Sequence, residues 1–142
     1  MLDLAYIIAI VTRERKVPLY TISKEFSFEA AHYLQDMPDN HPCKRLHGHS
    51  YRVRVELAAS QLNAYGFVVD YGDLVLLREY LDTYFDHRCL NDVLQGAPTA
   101  EYIANHLYTW SKSHWPQVTR VGVSETQKTW AWFGEGVDDL PY

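Results

Sequence analysis

A two-residue alternation of apolar and polar side chains occurs twice in this chain and limits what it can fold into. From Tyr20 to His32, the residues Ile22, Phe26, Phe28 and Ala30 alternate with Ser23, Glu25, Ser27 and Glu29. From His47 to Ala59, the residues His47, His49, Tyr51, Val53, Val55 and Leu57 alternate with Ser50, Arg52, Arg54 and Glu56. Successive side chains of a strand point to opposite faces, so each run predicts a strand with one buried face. His32 falls on the apolar face of the first strand, and His47 and His49 on that of the second. The segment from Gln35 to Cys43 is rich in turn formers and reads as a loop. An antiparallel return across it brings His32 towards His47 and His49, with Cys43 above them.

The rest of the chain changes period. Gly66 to Asp70 reads as a short strand, followed by a helix capped by Asp70, with Asp73 in its first turn and an apolar stripe of Leu74, Leu77, Leu81, Tyr84 and Phe85. It ends near Asp86-His87. A second helix opens at Pro98-Thr99, with Thr99 as its cap and Ile103, Leu107 and Trp110 as its stripe, and stops at Trp115-Pro116. Val118 to Glu125 and Thr129 to Phe133 have the composition of a closing hairpin. The order predicts an α+β domain: a four-stranded antiparallel sheet with two helices on one face. Its open edges invite pairing with other copies, which favours a homo-oligomer.

At 142 residues the chain has the length of one domain, with 47% hydrophobic residues and a net charge of −5. That balance gives no overall attraction to nucleic acid or to an anionic membrane. An anionic ligand would need a local basic patch, for which Lys24, Lys44, Arg45, Arg52 and Lys128 are the candidates by charge. Two cysteines, Cys43 and Cys89, imply no disulfide framework and suit a reducing cytoplasm. The apolar run from Leu4 to Val11 is shorter than the roughly 20 residues of a membrane span. Asp3 precedes that run and Arg13, Arg15 and Lys16 follow it, the reverse of a secretory signal. Residues 1–19 are therefore expected to be an N-terminal extension of unknown role, whether an added strand, a short helix or the product of a start-codon error, with one domain over 20–142.

One histidine on an apolar face is more often a hydrogen-bonded core residue than a ligand. Three on facing strands are different. Two of them, His47 and His49, stand about 6.5 Å apart along one strand face, within reach of one ion at bonds of about 2.0–2.1 Å. Structural zinc usually takes four protein ligands, whereas catalytic zinc keeps three and leaves a position for water or substrate. His32, His47 and His49 fit the second pattern. Glu125 is expected on an apolar face with Val121 and Val123, where an unpartnered carboxylate is costly and a ligand would offset that cost. A free cysteine is most often a small buried hydrophobe, but the loop position of Cys43 and its neighbours Lys44 and Arg45 argue otherwise, whereas Asp86-His87, taken alone, reads equally as a helix end. The four tryptophans read as core or interface.

Phe26-Ser27-Phe28-Glu29-Ala30-Ala31-His32, Cys43-Lys44-Arg45-Leu46-His47-Gly48-His49, Asp86-His87 and Ser124-Glu125-Thr126 together resemble the 6-pyruvoyltetrahydropterin synthase family. The likeness runs from Tyr20 to Phe133. Three residues separate Cys43 from His47, a gap that resembles the 6-carboxytetrahydropterin synthases of 7-deazaguanine and queuosine biosynthesis within that family. The resemblance implies a tunnelling fold, in which sheets of several subunits join into a barrel as trimers or dimers of trimers, with active sites near subunit boundaries. It implies Zn2+ on His32, His47 and His49, and 7,8-dihydroneopterin triphosphate as substrate. The implied products are 6-carboxy-5,6,7,8-tetrahydropterin, acetaldehyde and triphosphate. Cys43 would be the proton-transferring base, Asp86 and His87 its relay, and Glu125 both the pterin anchor and a member of the relay, with Thr99 and Glu101 adding pterin contacts. Cys89 departs from the pattern, standing where related chains often carry an aromatic residue.

Other chemistries fit the same histidines: a pyruvoyl-forming or other pterin side-chain lyase, a three-histidine zinc hydratase or hydrolase, or a structural zinc protein. The latter two would not need Cys43, so substituting it separates them from the first pair.

Overall fold

The computed structural model describes residues 19–135 together with Leu4, and the expectations for the N-terminal extension lie largely outside the described residues. The two alternating runs form the longest strands, β1 (Tyr20–His32) and β2 (His47–Ala59). They pair antiparallel along their whole length, with Phe28 opposite Tyr51, Ala30 opposite His49 and His32 opposite His47. The register follows from burial. A slip by one residue would turn Phe26, Phe28, Val53, Val55 and Leu57, all buried here, towards solvent.

The expected strand from Gly66 to Asp70 does not form; those residues lie in turns and bends. Gly66 adopts φ 85°, a left-handed conformation that glycine takes without penalty. The Asn63 side chain accepts hydrogen bonds from the Tyr65 and Phe67 amides, both at 3.0 Å. Val68 is buried, so the apolar run anchors a turn instead of pairing in the sheet. Asp70 then caps a 3₁₀ turn over Tyr71–Leu74, its Oδ1 accepting from the Gly72 amide at 2.8 Å. The first helix, α1 (Val75–Tyr84), follows and buries Leu77 and Leu81.

After it comes a strand the sequence did not announce, β3 (Arg88–Cys89), which runs parallel to β1 and pairs Arg88 with Ala30 and Cys89 with Ala31. A short helix, α2 (Leu90–Val93), precedes the long helix α3 (Ala100–His114). Thr99 caps α3, its Oγ1 accepting from the Tyr102 amide at 3.2 Å. Pro116 lacks the N–H to continue the helix, and Lys112 near its end donates to the Pro116 and Val118 carbonyls. β4 (Val118–Ser124) and β5 (Ala131–Gly134) form the expected antiparallel closing pair.

The class is therefore α+β as expected, but among the described residues the sheet has five strands and is mixed, in the order β3-β1-β2-β4-β5, not four and wholly antiparallel. The core lies between one face of the sheet and the helices, with Tyr51, Val53, Val55, Leu57, Val121 and Val123 meeting Leu77, Leu81, Phe85, Ile103 and Leu107. The histidine face of β1 and β2 continues this core, so the site is built on its rim. No helix among the described residues is long and apolar enough to cross a membrane.

Candidate metal centre and adjoining pocket

Antiparallel pairing brings the three histidines to one end of the β1–β2 ladder. Nε2 of His32 lies 3.0 Å from Nε2 of His47 and 3.1 Å from Nε2 of His49. Ligands at about 2.0–2.1 Å from a tetrahedral ion are separated by about 3.3 Å, so these spacings suit three of its four positions. The backbone fixes which nitrogens face inwards. His32 Nδ1 donates to the Pro98 carbonyl at 2.7 Å, and His47 Nδ1 donates to the Arg45 carbonyl at 2.6 Å. With Nδ1 of both rings turned to a carbonyl, the Nε2 atoms converge, and a cation between them would satisfy them together. The residues fit a divalent ion, and they are the one metal-ligating cluster of three or more such groups among the described residues. Burial lowers the pKa of His49, opposed by the Glu125 carboxylate and reinforced by His32 and His47, so the ring is held in the neutral, ligating form.

His32 is 2% exposed, which makes it the floor of the site. Glu125 follows directly on β4, and its carboxylate reaches within 4.0 Å of His32 Nε2. Next to it a cavity of about 220 Å³ is lined by Leu34, Thr99, Glu101, Glu125, Thr129 and Trp130, among others. Glu125, Thr99 and Glu101, the three residues expected to hold the pterin, thus share one pocket beside the histidines. Thr99 holds two positions at once, as helix cap and as pocket wall. Leu34, Thr129 and Trp130 were not anticipated as lining; Trp130 read as core or interface.

Cys43 sits in a 3₁₀ turn over Pro42–Lys44, partly exposed. Its amide donates to His41 Nδ1 at 3.1 Å, and its carbonyl accepts from the Leu34 amide at 2.8 Å, closing the loop on itself. Asp86 and His87 lie at the other edge of the β1–β2 pair. Asp86 Oδ1 accepts from the Glu29 amide at 2.9 Å, its Oδ2 accepts from His87 Nδ1 at 2.8 Å, and the His87 amide donates to the Glu29 carbonyl at 2.6 Å. These bonds hold His87 at φ 56°, a left-handed backbone conformation uncommon for a non-glycine residue. The Glu29 amide first, then the His87 ring, hold the Asp86 carboxyl below the usual carboxylate range. The His87 side chain is 80% exposed. It faces a cavity of about 540 Å³ shared with Glu29, Ser50, His49 and Cys89. No hydrogen bond joins His87 to Cys43 among the described residues.

Of the basic candidates, Lys44 pairs with Asp39, Arg52 lies 3.5 Å from Glu25, and Lys24 donates to the Tyr71 carbonyl at 3.0 Å. Lys24 and Arg52 share a cavity with Arg78, away from the histidines along β1.

A family profile described as 6-pyruvoyl tetrahydropterin synthase matches residues 21–136. The chain belongs to this family. A 6-carboxy-5,6,7,8-tetrahydropterin synthase of Synechocystis is 40% identical over 99 residues, covering 63% of this chain and 73% of the relative. A putative enzyme of the same name from Archaeoglobus fulgidus is 32% identical over 105 residues, covering 74% and 87%. The structure of the 6-pyruvoyl tetrahydropterin synthase of Caenorhabditis elegans superposes with a TM-score of 0.74 over 84% of this chain and 98% of that one, at 24% identity. The shared fold therefore persists at low identity.

Proposed function

We propose that this protein is a zinc-dependent 6-carboxy-5,6,7,8-tetrahydropterin synthase that acts on 7,8-dihydroneopterin triphosphate in the cytoplasm, on the route to queuosine. The observation that carries this reading is the convergence of three imidazole Nε2 atoms beside a pocket containing Glu125. Cys43, separated from His47 by three residues, and the relatives' names favour the carboxy product over the pyruvoyl one.

His32, His47 and His49 would hold Zn2+. Bound there, the ion supplies a Lewis acid that favours loss of protons from the hydroxyls of the substrate side chain. Glu125 accepts two parallel hydrogen bonds from the amino group and adjacent N–H of the pterin, which fixes the ring in the small cavity. Thr99 and Glu101 border the same ring. Cys43 takes the proton, which requires a positive neighbour or the metal to favour its thiolate. Asp86 holds the His87 ring by Nδ1, leaving Nε2 to exchange that proton. The open position of His87, with no bond to Cys43 in the same chain, supports a relay completed between subunits of a trimer or a dimer of trimers. The working unit is a single pterin synthase-like domain over 20–142, with residues 1–19 as an extension.

The test is direct. Zinc-loaded protein incubated with 7,8-dihydroneopterin triphosphate should yield 6-carboxytetrahydropterin, acetaldehyde and triphosphate by mass spectrometry. Formation of 6-pyruvoyltetrahydropterin without acetaldehyde would overturn the carboxy assignment.

A further inference from the structure

Tyr51 is fully buried at the foot of the histidine cluster, and its hydroxyl has no hydrogen-bond partner. Buried hydroxyls are nearly always paired, because leaving one unpaired costs about 1–3 kcal/mol. The ring is fixed tightly: it stacks on Phe28 at 4.9 Å and meets the rings of His49 and His32 edge-on at 5.4 and 5.9 Å. A phenylalanine would fill the same space without the orphaned oxygen. The hydroxyl therefore has no role in the packing of the free protein.

The adjacent strand β4 supplies an acceptor of suitable chemistry. Arg52 on β2 pairs with Ser124 on β4, so continuing that register sets Tyr51 beside Glu125 on the inner face. Two of the histidines already have carbonyl partners for Nδ1. The Glu125 side chain, by contrast, makes no hydrogen bond among the described residues, and its nearest approach to a histidine is 4.0 Å, to His32 Nε2.

We infer that Tyr51 is a positioning residue, whose hydroxyl donates to the Glu125 carboxylate when the pocket fills and orients it towards the two N–H groups of the pterin. This rests on the pterin reading of the pocket and extends it. A carboxylate offering two parallel acceptors must be held in one plane, and a donor from below fixes that plane while the ligand binds from above. The orphaned hydroxyl of the free protein is then satisfied in the complex.

The experiment compares the wild-type protein with Tyr51→Phe and Glu125→Gln, each zinc-loaded, by titrating the intrinsic fluorescence of unsubstituted pterin. Tyr51→Phe should retain its zinc content and unfold at a temperature equal to or above wild type. It should bind pterin about ten- to a hundredfold more weakly, the size expected for one hydrogen bond to a charged group. In the double variant, the loss should not exceed that of Glu125→Gln alone, because the hydroxyl acts through that carboxylate. With dihydroneopterin triphosphate, KM should rise more than kcat falls. Equal pterin affinity in Tyr51→Phe and wild type overturns the role, as does a lowered unfolding temperature accompanied by lost zinc. A wild-type protein that binds zinc but no pterin overturns the functional reading itself, a distinct outcome.

Discussion

At the residue scale, the site separates atoms that bind from atoms that hold. Nε2 of His32 and His47 faces the centre, while Nδ1 of each is tied to a backbone carbonyl. Replacing His32 with Ala should abolish stoichiometric zinc, measured by metal analysis after dialysis. His32→Gln should not restore it, because an amide lacks the imidazole geometry. Cys43→Ala should instead keep its zinc and lose carboxytetrahydropterin formation by at least about a hundredfold, the usual scale for a lost acid–base group. Undiminished turnover in that variant would remove Cys43 from the chemistry. Asp86 gives a pH signature. Its folded pKa is depressed below the unfolded value of about 3.9, so it stabilises the fold above that pH and ceases to do so as pH falls through the folded value. Asp86→Asn should thus unfold more readily than wild type at neutral pH, with the gap closing below about pH 4. The histidines were legible because alternation set them on one face. Tyr51 was legible only as apolar, since its hydroxyl matters through a partner on another strand.

At the element scale, long periodic segments announced themselves and short ones did not. β1 and β2 span thirteen residues each, enough for alternation to fix both type and register. β3 spans two residues, and no periodicity exists in two; its place follows from the Asp86 and His87 bonds to Glu29. The run from Gly66 to Asp70 has strand composition, yet Gly66 and the Asn63 side chain turn the chain before it can pair. The helix caps at Asp70 and Thr99 were readable, because capping is a local interaction. Between β4 and β5, Trp132 lies across Gly122 so closely that a Cβ there would meet its ring at 2.8 Å. The ring cannot easily move aside, since Trp130 stacks near it at 5.6 Å and Arg120 covers it at 4.2 Å. Gly122→Ala should therefore destabilise the protein by about 1–3 kcal/mol in denaturant unfolding, as overpacking does. A change below about 0.5 kcal/mol would mean that the tryptophan pair yields freely.

At the scale of the whole molecule, the parts of the proposed catalytic apparatus occupy two separate places. The histidines, Glu125 and the 220 Å³ pocket lie on the inner face of the sheet, whereas the Asp86–His87 pair is docked at Glu29 and opens on another cavity. The His87 side chain is 80% exposed, and among the described residues its ring is bonded only to Asp86. A proton cannot pass from Cys43 to a ring that it does not touch, so the relay needs either a second chain or a rearrangement of the loop holding Cys43. The sheet favours the second chain. The outer side of β1 beyond its short pairing with β3 and the outer side of β5 have no partner strand in the described residues, and such edges are ready to pair with another copy. Complementation distinguishes the two arrangements. Cys43→Ala and His87→Ala homo-oligomers should each be inactive, and neither defect should unfold the chain, since both side chains lie outside the buried core. When the two variants are co-expressed, a relay shared between chains leaves about a quarter of the sites with both native residues. Turnover of the mixed oligomer should rise to about that fraction of wild type. If mixing restores nothing while both variants retain zinc and oligomerise with each other, Cys43 and His87 meet within one chain and the loop must move to join them.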